Sequence, residues 1–253
     1  MLDMIPLSPS YNGVCIDHHP LHWSESERSY KLYWGVGSTG LVVFNLFQKE
    51  IPREKLWWVA GSLVGDGSPE LIPAEVWEAC PFLLEEIGRP REYQGRTYLT
   101  TYPLWAALSS PVNNLCRIGR PKIALERVLS VKSPIEMIQD EAVKLAQKKV
   151  EQEIKNILET FYVRDLGRVL YLEMETDYSL TGYIASKLSN IHNKTTFVIN
   201  AKNGKYSVRG VLSEYIRKLM EKYGLKAGGH PGFGAGVVPE EKRKVLLQVL
   251  SSI

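Results

Sequence analysis

Five glycines and a histidine crowd into nine residues near one end of the chain, Gly228-Gly229-His230-Pro231-Gly232-Phe233-Gly234-Ala235-Gly236. An ordinary turn needs far fewer. Glycine lets the backbone adopt positive φ angles and approach another group closely. Successive N–H groups left free in such a loop form a concavity suited to an anion, most often a phosphate. The plainer alternative is a flexible surface loop that happens to carry a histidine.

The opposite end narrows the choice. Val14-Cys15-Ile16 reads as a short buried strand, and Asp17-His18-His19-Pro20 follows it directly. Open α/β folds place their chemistry beyond the C-terminal ends of strands. A carboxylate with two imidazoles is also a donor set for divalent metals. Three cysteines, Cys15, Cys80 and Cys116, are scattered without metal-site spacing, which fits free thiols in a reducing compartment.

Together with two segments between them, these ends resemble the DHH/DHHA1 phosphoesterase superfamily, and within it the RecJ-like proteins. Asp17-His18-His19 stands where that family has its DHH motif. Ala60-Gly61-Ser62-Leu63-Val64-Gly65-Asp66-Gly67 resembles the following motif, a helix ending in Gly-Asp. Ser207-Val208-Arg209 resembles the Ser-x-Arg of DHHA1 domains. Gly228 to Gly236 resembles the Gly-Gly-His-x-x-x-Ala-Gly signature, with one residue of difference in spacing. The four occur in the family's order and cover about residues 12–238.

The resemblance implies a partial DHH-type α/β domain over residues 1–115, a long helical connector over 116–162, and a DHHA1-like mixed-sheet α/β domain over 163–253. It makes Asp17, His18, His19 and Asp66 vestigial metal ligands. It makes Arg209, Gly228, Gly229 and His230 contacts for a nucleic-acid phosphate. An active member also carries an earlier strand with an Asp-x-Asp motif and a further aspartate shortly before DHH. Here sixteen residues precede Asp17, and Asp3 is the candidate for the second of these. Two-metal catalysis needs carboxylates enough to hold two cations about 3.5–4 Å apart. Asp3, Asp17, His18, His19 and Asp66 supply at most half of that, so a disabled catalytic centre is expected.

A chain of 253 residues with 44% hydrophobic content can bury a real core. A net charge of +3 permits nucleic-acid binding without demanding it. No apolar run reaches the roughly 18 residues of a membrane span, and the start lacks the pattern of a secretion signal. A cytoplasmic protein is expected.

Along the chain, Ser38 or Thr39 caps a helix through Leu41 to Phe47. A second helix runs from Lys55 to Val64, with Leu56, Val59, Ala60 and Leu63 as its core stripe and Gly65-Asp66-Gly67 as its end. Trp57 and Trp58 cannot both join that stripe. Residues 68–115, rich in proline, read as short helices and loops. Residues 112–132 carry Arg117, Arg120, Lys122, Arg127 and Lys132 against Glu126 alone, either a track for a nucleic-acid backbone or a solvated helix face. Ser133-Pro134-Ile135-Glu136 starts a helix that runs to about Thr160, with Leu145 on its apolar stripe. Beyond it, strands are expected at Arg168–Met174, Thr195–Asn200, Tyr206–Val208 and Phe233–Val238. Helices are expected at Tyr178–Leu188, Leu212–Tyr223 and Glu240–Leu250. Asn203-Gly204 marks a hairpin.

Three functions fit this reading. The first is a non-catalytic RecJ-like replication factor, needing no cofactor, that acts as a scaffold with the GINS complex and the MCM helicase and binds single-stranded DNA weakly. The second is a manganese- or magnesium-dependent phosphoesterase or single-strand exonuclease, with Asp17, His18 and Asp66 as ligands. The third is a module that binds proteins alone. Arg209 is a phosphate fork in the first; the plainer alternative for it is a salt bridge on a strand.

Overall fold

The computed structural model describes residues 10, 12–19, 24–93, 96–225, 227–229, 232–251 and 253, with backbone alone at 89–93 and 96–98. Asp3 and His230 lie outside the described residues. The chain forms two compact units, residues 1–115 with 121–144, and residues 116–120 with 145–253.

In the first unit the apolar run at Val14 becomes β1 (Val14–Asp17), paired in parallel with β2 (Lys31–Trp34). Ser38 caps α1 (Thr39–Phe47), its hydroxyl accepting from the Leu41 N–H at 3.2 Å. In α2 (Trp57–Gly65) the expected stripe is fully buried, with Leu63 and Ala60 at 0% exposure. Trp57 is buried as well and meets Trp58 edge to face. Gly40 is what lets α1 and α2 approach. A Cβ there lies 2.5 Å from the Ser62 hydroxyl, to which the Gly40 N–H donates.

Beyond α3 (Ala74–Ala79) the structure departs from expectation. Residues 68–115 hold an antiparallel ribbon, β3 (Glu86–Tyr93) with β4 (Arg96–Pro103). Thr97 to Tyr102 is a β-branched and aromatic run that favours strand. The prolines obscure it in the sequence, yet Pro90 is tolerated because a ribbon of two strands has open edges.

Helices α4 (Ser109–Arg117), α5 (Pro121–Ser130), α6 (Pro134–Gln139) and α7 (Glu141–Thr160) follow. The single helix expected from Ser133 to Thr160 is two, broken at Asp140. That residue leaves helical geometry at ψ 132° and caps α7, its Oδ1 accepting from the N–H groups of Ala142 and Val143. Aspartate competes for its own backbone in this way, and an ion pair from the Arg127 Nε at 3.1 Å holds its second oxygen. The buried stripe of α7 runs through Val143, Ala146, Val150, Ile154 and Ile157, and Leu145 is 54% exposed, against expectation.

The second unit is built on a six-stranded mixed sheet. Its strands are β5 (Arg164–Asp165), β6 (Val169–Met174), β7 (Thr195–Asn200), β8 (Lys205–Arg209), β9 (Ala227–Gly228) and β10 (Phe233–Val237), in the order β5-β6-β7-β8-β10-β9. Only β6 and β7 run parallel; their crossover is α8 (Thr181–His192). Alternate strand residues divide between the two faces. Val169, Tyr171, Phe197, Ile199, Tyr206 and Val208 pack under α9 (Ser213–Lys222) and α10 (Arg243–Ser251), with Phe197 stacked on Tyr206 at 4.8 Å. Leu172, Met174 and Val198 pack under α8 and the second half of α7. A sheet covered on both faces requires nearly continuous apolar strands, and all six β7 residues are buried. Gly204 closes the β7–β8 hairpin at φ +67°. Among the described residues no helix is long and apolar enough to cross a membrane.

Candidate functional site

Two clusters of polar groups stand out, one in each unit. The first forms at the C-terminal end of β1. The carboxylate of Asp17 is completely buried. Its Oδ1 accepts from the N–H groups of His18 at 2.6 Å and His19 at 2.7 Å, and also contacts the His19 Nδ1 at 2.7 Å. Its Oδ2 is buried with no hydrogen-bond partner among the described residues. An ionised oxygen left without a partner is costly to bury, and a cation satisfies it directly.

The imidazoles are fixed from behind. His18 Nδ1 lies 3.1 Å from the hydroxyl of Thr39, the first residue of α1. That contact directs His18 Nε2 toward Asp66, which caps the end of α2, at 4.0 Å. The separation is too long for a hydrogen bond. It falls within the roughly 4.2 Å that two ligands on opposite sides of one small ion span at bond lengths near 2.1 Å. The indole of Trp34 donates to the His19 carbonyl at 2.8 Å and pins the turn after β1. The donor atoms of Asp17, His18 and His19 lie within 4.8 Å of one another, the one such group of three among the described residues. Groups behind a ligand that orient its ring are part of a metal site; Thr39 holds that place for His18, and Trp34 holds the backbone of the turn. The residues therefore fit one divalent cation.

The second cluster lies where β8, β10 and α8 meet. Arg209 is partly buried. Its Nη1 donates to the carbonyls of Val208 at 2.9 Å and Gly234 at 3.2 Å, and its guanidinium lies over the Phe233 ring at 4.9 Å. Its Nε is buried and, among the described residues, has no partner and no carboxylate facing it. Burial alone pulls its pKa down, yet an arginine stays charged. The strand salt bridge that is the plainer alternative for Arg209 is not formed among the described residues.

Glycine and hydroxyl groups lie around the guanidinium. Gly182, in the first turn of α8, faces the guanidinium; a Cβ there lies 3.0 Å from Arg209 Nη2. Leu180 at the helix start provides no side-chain cap, and the first N–H groups of a helix have no partner within it. Ser207 and Thr181 share a hydrogen bond at 3.1 Å beside them. Gly228 is paired with Ala235, and Gly229 sits at φ +146°, where a Cβ falls 2.1 Å from the Phe233 carbonyl. Only glycine fits that position.

The structure thus brings Asp17, His18, His19 and Asp66 together in the first unit, and Arg209 with Gly228 and Gly229 in the second. Of the expected residues, His230 lies outside the description. Three contacts escape a reading of the sequence. Thr39 acts 21 positions from His18, with no spacing signature to betray it. Thr181 meets Ser207 through the fold alone. Arg117, grouped by sequence with a basic helix, lies over the Tyr183 ring of α8 at 4.8 Å, and burial pulls its pKa down too.

No protein-family model matches the chain, and no curated protein does. Solved structures do. RecJ from Thermus thermophilus, in complex with Mn2+, superposes with a TM-score of 0.62 at 14% identity over 94% of this chain. The DHH domain of a member of a ribosomal-protein family gives 0.60 at 15% identity, again over 94%. An exonuclease RecJ bound to manganese gives 0.56 at 15%. The chain spans 40% of the Thermus structure, 62% of the DHH-domain structure and 68% of the second RecJ. The fold is that of RecJ and DHH-domain proteins.

Proposed function

We propose that this RecJ-fold chain grips the phosphate backbone of single-stranded nucleic acid and does not hydrolyse it, serving as a scaffold in a replication assembly. The observation that carries the proposal is Arg209, a partly buried cation with no described carboxylate against it, set at an uncapped helix start beside a glycine-only turn. Arginine presents its donors in a planar fork that matches two phosphate oxygens. The N–H groups of Gly182 and Tyr183 add dipoles of the same sign. Contacts to phosphate give affinity and register without sequence preference.

GINS and the MCM helicase are the protein partners in this proposal, on the strength of the sequence resemblance. The donor set of the first unit supports the non-hydrolytic part. Among the described residues it offers two carboxylates, Asp17 and Asp66, and one cluster of three ligands, sufficient for one cation where two-metal chemistry needs bridging carboxylates for two.

One observation favours a second reading, a divalent-metal-dependent phosphoesterase. The partnerless Asp17 Oδ2 is what a metal ligand looks like without its metal. Asp17, His18, His19 and Asp66 would hold that ion, and a bound manganese or magnesium supplies a Lewis acid for a phosphate oxygen. In that reading Thr39 keeps His18 oriented, and Arg209 holds the phosphate of a neighbouring nucleotide.

Binding of a labelled single-stranded oligonucleotide tests the first reading, with the complex recovered from its native cell as the check on partners. Affinity that falls with salt and drops in Arg209→Ala, together with recovery of helicase or GINS subunits, supports it. Unchanged affinity in that variant contradicts it.

A further inference from the structure

A cavity of about 350 Å³ opens at the C-terminal ends of the parallel strands β6 and β7, away from every residue the sequence marks as a site. Its walls come from three stretches of the second unit. Phe161 and Tyr162 follow α7, and Arg164 opens β5. Glu173 and Glu175 flank the last residue of β6, and Ala201 follows β7. Arg209 pairs with Thr196 near the start of β7, so the cavity lies at the other end of the sheet from the Arg209 cluster. Its volume suits one small molecule, near the lower end of the roughly 300–1,000 Å³ of such sites.

Each wall has its own chemistry. Glu173 is fixed in place. Its Oε2 accepts from the Tyr171 hydroxyl at 3.0 Å, and Arg243 Nη1 stands 3.6 Å from its Oε1, too far for a hydrogen bond. The same guanidinium donates from Nη2 to the Ala201 carbonyl at 2.7 Å and ties α10 to the cavity wall. Glu175 is exposed. Lys202, a cation that feels its charge, is itself held by Asp177 at 2.9 Å. An ionised carboxylate only accepts, so this wall calls for a ligand edge made of donors. Tyr162 is 82% exposed and offers a ring for stacking, and Arg164 adds an exposed cation.

We propose that this cavity binds one guanine nucleotide, free or as one residue of a single strand. The base stacks on Tyr162, its N1–H and N2 amino group donate to Glu173 and Glu175, and its phosphate meets Arg164. The carboxylates choose the base. Among the common bases, guanine alone sets two donors side by side on its pairing edge. Adenine and cytosine place a ring acceptor beside their amino group, and uracil or thymine flanks a single N–H with two carbonyls. Each of those sets a lone pair against a carboxylate, which weakens binding. Stacking on an aromatic ring holds a base of any kind, and a guanidinium matches a phosphate. A lysine or arginine side chain of a partner also suits the carboxylates, but Arg164 repels it. The proposal stands whether or not Arg209 grips a strand.

The test is isothermal titration calorimetry on the full chain with GMP, AMP, CMP and UMP in turn. GMP is expected to bind roughly tenfold or more tightly than the other three. Inosine monophosphate, which lacks the N2 amino group, is expected to bind roughly tenfold more weakly than GMP. Glu175→Gln and Tyr162→Ala, both at exposed positions, are each expected to weaken GMP binding roughly tenfold, with Tyr162→Phe unchanged. Arg164→Ala is expected to reduce GMP to the affinity of guanosine. Oligothymidine carrying one guanine, set against oligothymidine alone, separates the two sources. A guanine preference there without GMP binding supports a strand residue as the ligand, and GMP binding without that preference supports a free nucleotide.

Equal affinity for GMP and AMP overturns the proposal, as does the absence of a guanine preference in both forms. Tighter binding of N-acetyl-argininamide than of GMP overturns it too and assigns the cavity to a basic side chain. A preference that survives Glu175→Gln and vanishes in Arg209→Ala overturns it by moving the nucleotide to the Arg209 cluster. Oligothymidine affinity unchanged in Arg209→Ala, with the guanine preference intact, sinks the Arg209 reading alone and supports the cavity.

Discussion

Replacing Arg209 by methionine separates a binding residue from a structural one. The side chain keeps its length and loses its charge. In the folded protein Nη1 gives up two hydrogen bonds to backbone carbonyls, each worth about 1 kcal/mol net. Against that, the substitution removes a buried Nε that has no partner, relieving roughly 1–3 kcal/mol of desolvation. It also removes a partly buried charge that no described carboxylate balances. The two sides nearly cancel, so stability is expected to stay within about 1 kcal/mol of the parent. Nucleic-acid affinity behaves otherwise. A charge-assisted contact to phosphate contributes about 1.5–3 kcal/mol, and its loss weakens binding roughly 10- to 150-fold. Thermal melts and anisotropy titrations on the same sample read both numbers. A melting temperature that collapses while affinity holds refutes the reasoning, because Arg209 is then a strut of the sheet edge.

Three further outcomes follow from the geometry. Manganese is expected to raise the melting temperature of the parent protein and leave Asp17→Ala unmoved, since ligand binding to the folded state alone stabilises it; an equal rise in both removes Asp17 from the site. Gly229→Ala places a Cβ 2.1 Å from the Phe233 carbonyl at φ +146°; it is expected to destabilise by about 1–3 kcal/mol or more, and a melt identical to the parent contradicts the turn geometry. Tyr206 is buried, its hydroxyl has no partner among the described residues, and burial pushes its pKa up to about 12. A folded value above the ordinary 10 means its contribution is present below pH 10 and is lost as pH rises toward 12. Tyr206→Phe is therefore expected to resist alkaline unfolding better than the parent in that window, and chemical denaturation at stepped pH checks it.

The second unit is almost entirely legible in the sequence because its signals are local. Strands buried on both faces read as apolar runs, and Asn203-Gly204 announces the β7–β8 hairpin that forms. The stripe of α2 is legible for the same reason: its period carries the burial. The departures have physical causes. Pro90 disguises a strand because sequence does not reveal which edges of a ribbon stay open. Asp140 reads as part of a helix, although its backbone leaves helical geometry there and its side chain caps the next helix. The sites divide along the same line. Asp17, His18 and Arg209 are visible as unusual residue types in suggestive places. Thr39, Thr181 and the relation of Arg117 to Tyr183 arise from elements distant in sequence, where no spacing rule reaches.

The ribbon shows how register adds information that composition lacks. Residues 86–103 contain three arginines and two glutamates, an unremarkable mixture along the chain. Only the register shows that Arg91 stands opposite Tyr98 and Tyr93 opposite Arg96.

The most direct measurement follows the length of the strand itself. The purified chain is mixed in excess with an end-labelled single-stranded oligonucleotide and manganese, and the bound DNA is recovered and sized after many hours. The account predicts strand held at full length, with binding that weakens as salt rises. Shortened products that form with the parent protein and vanish in Asp66→Ala contradict it.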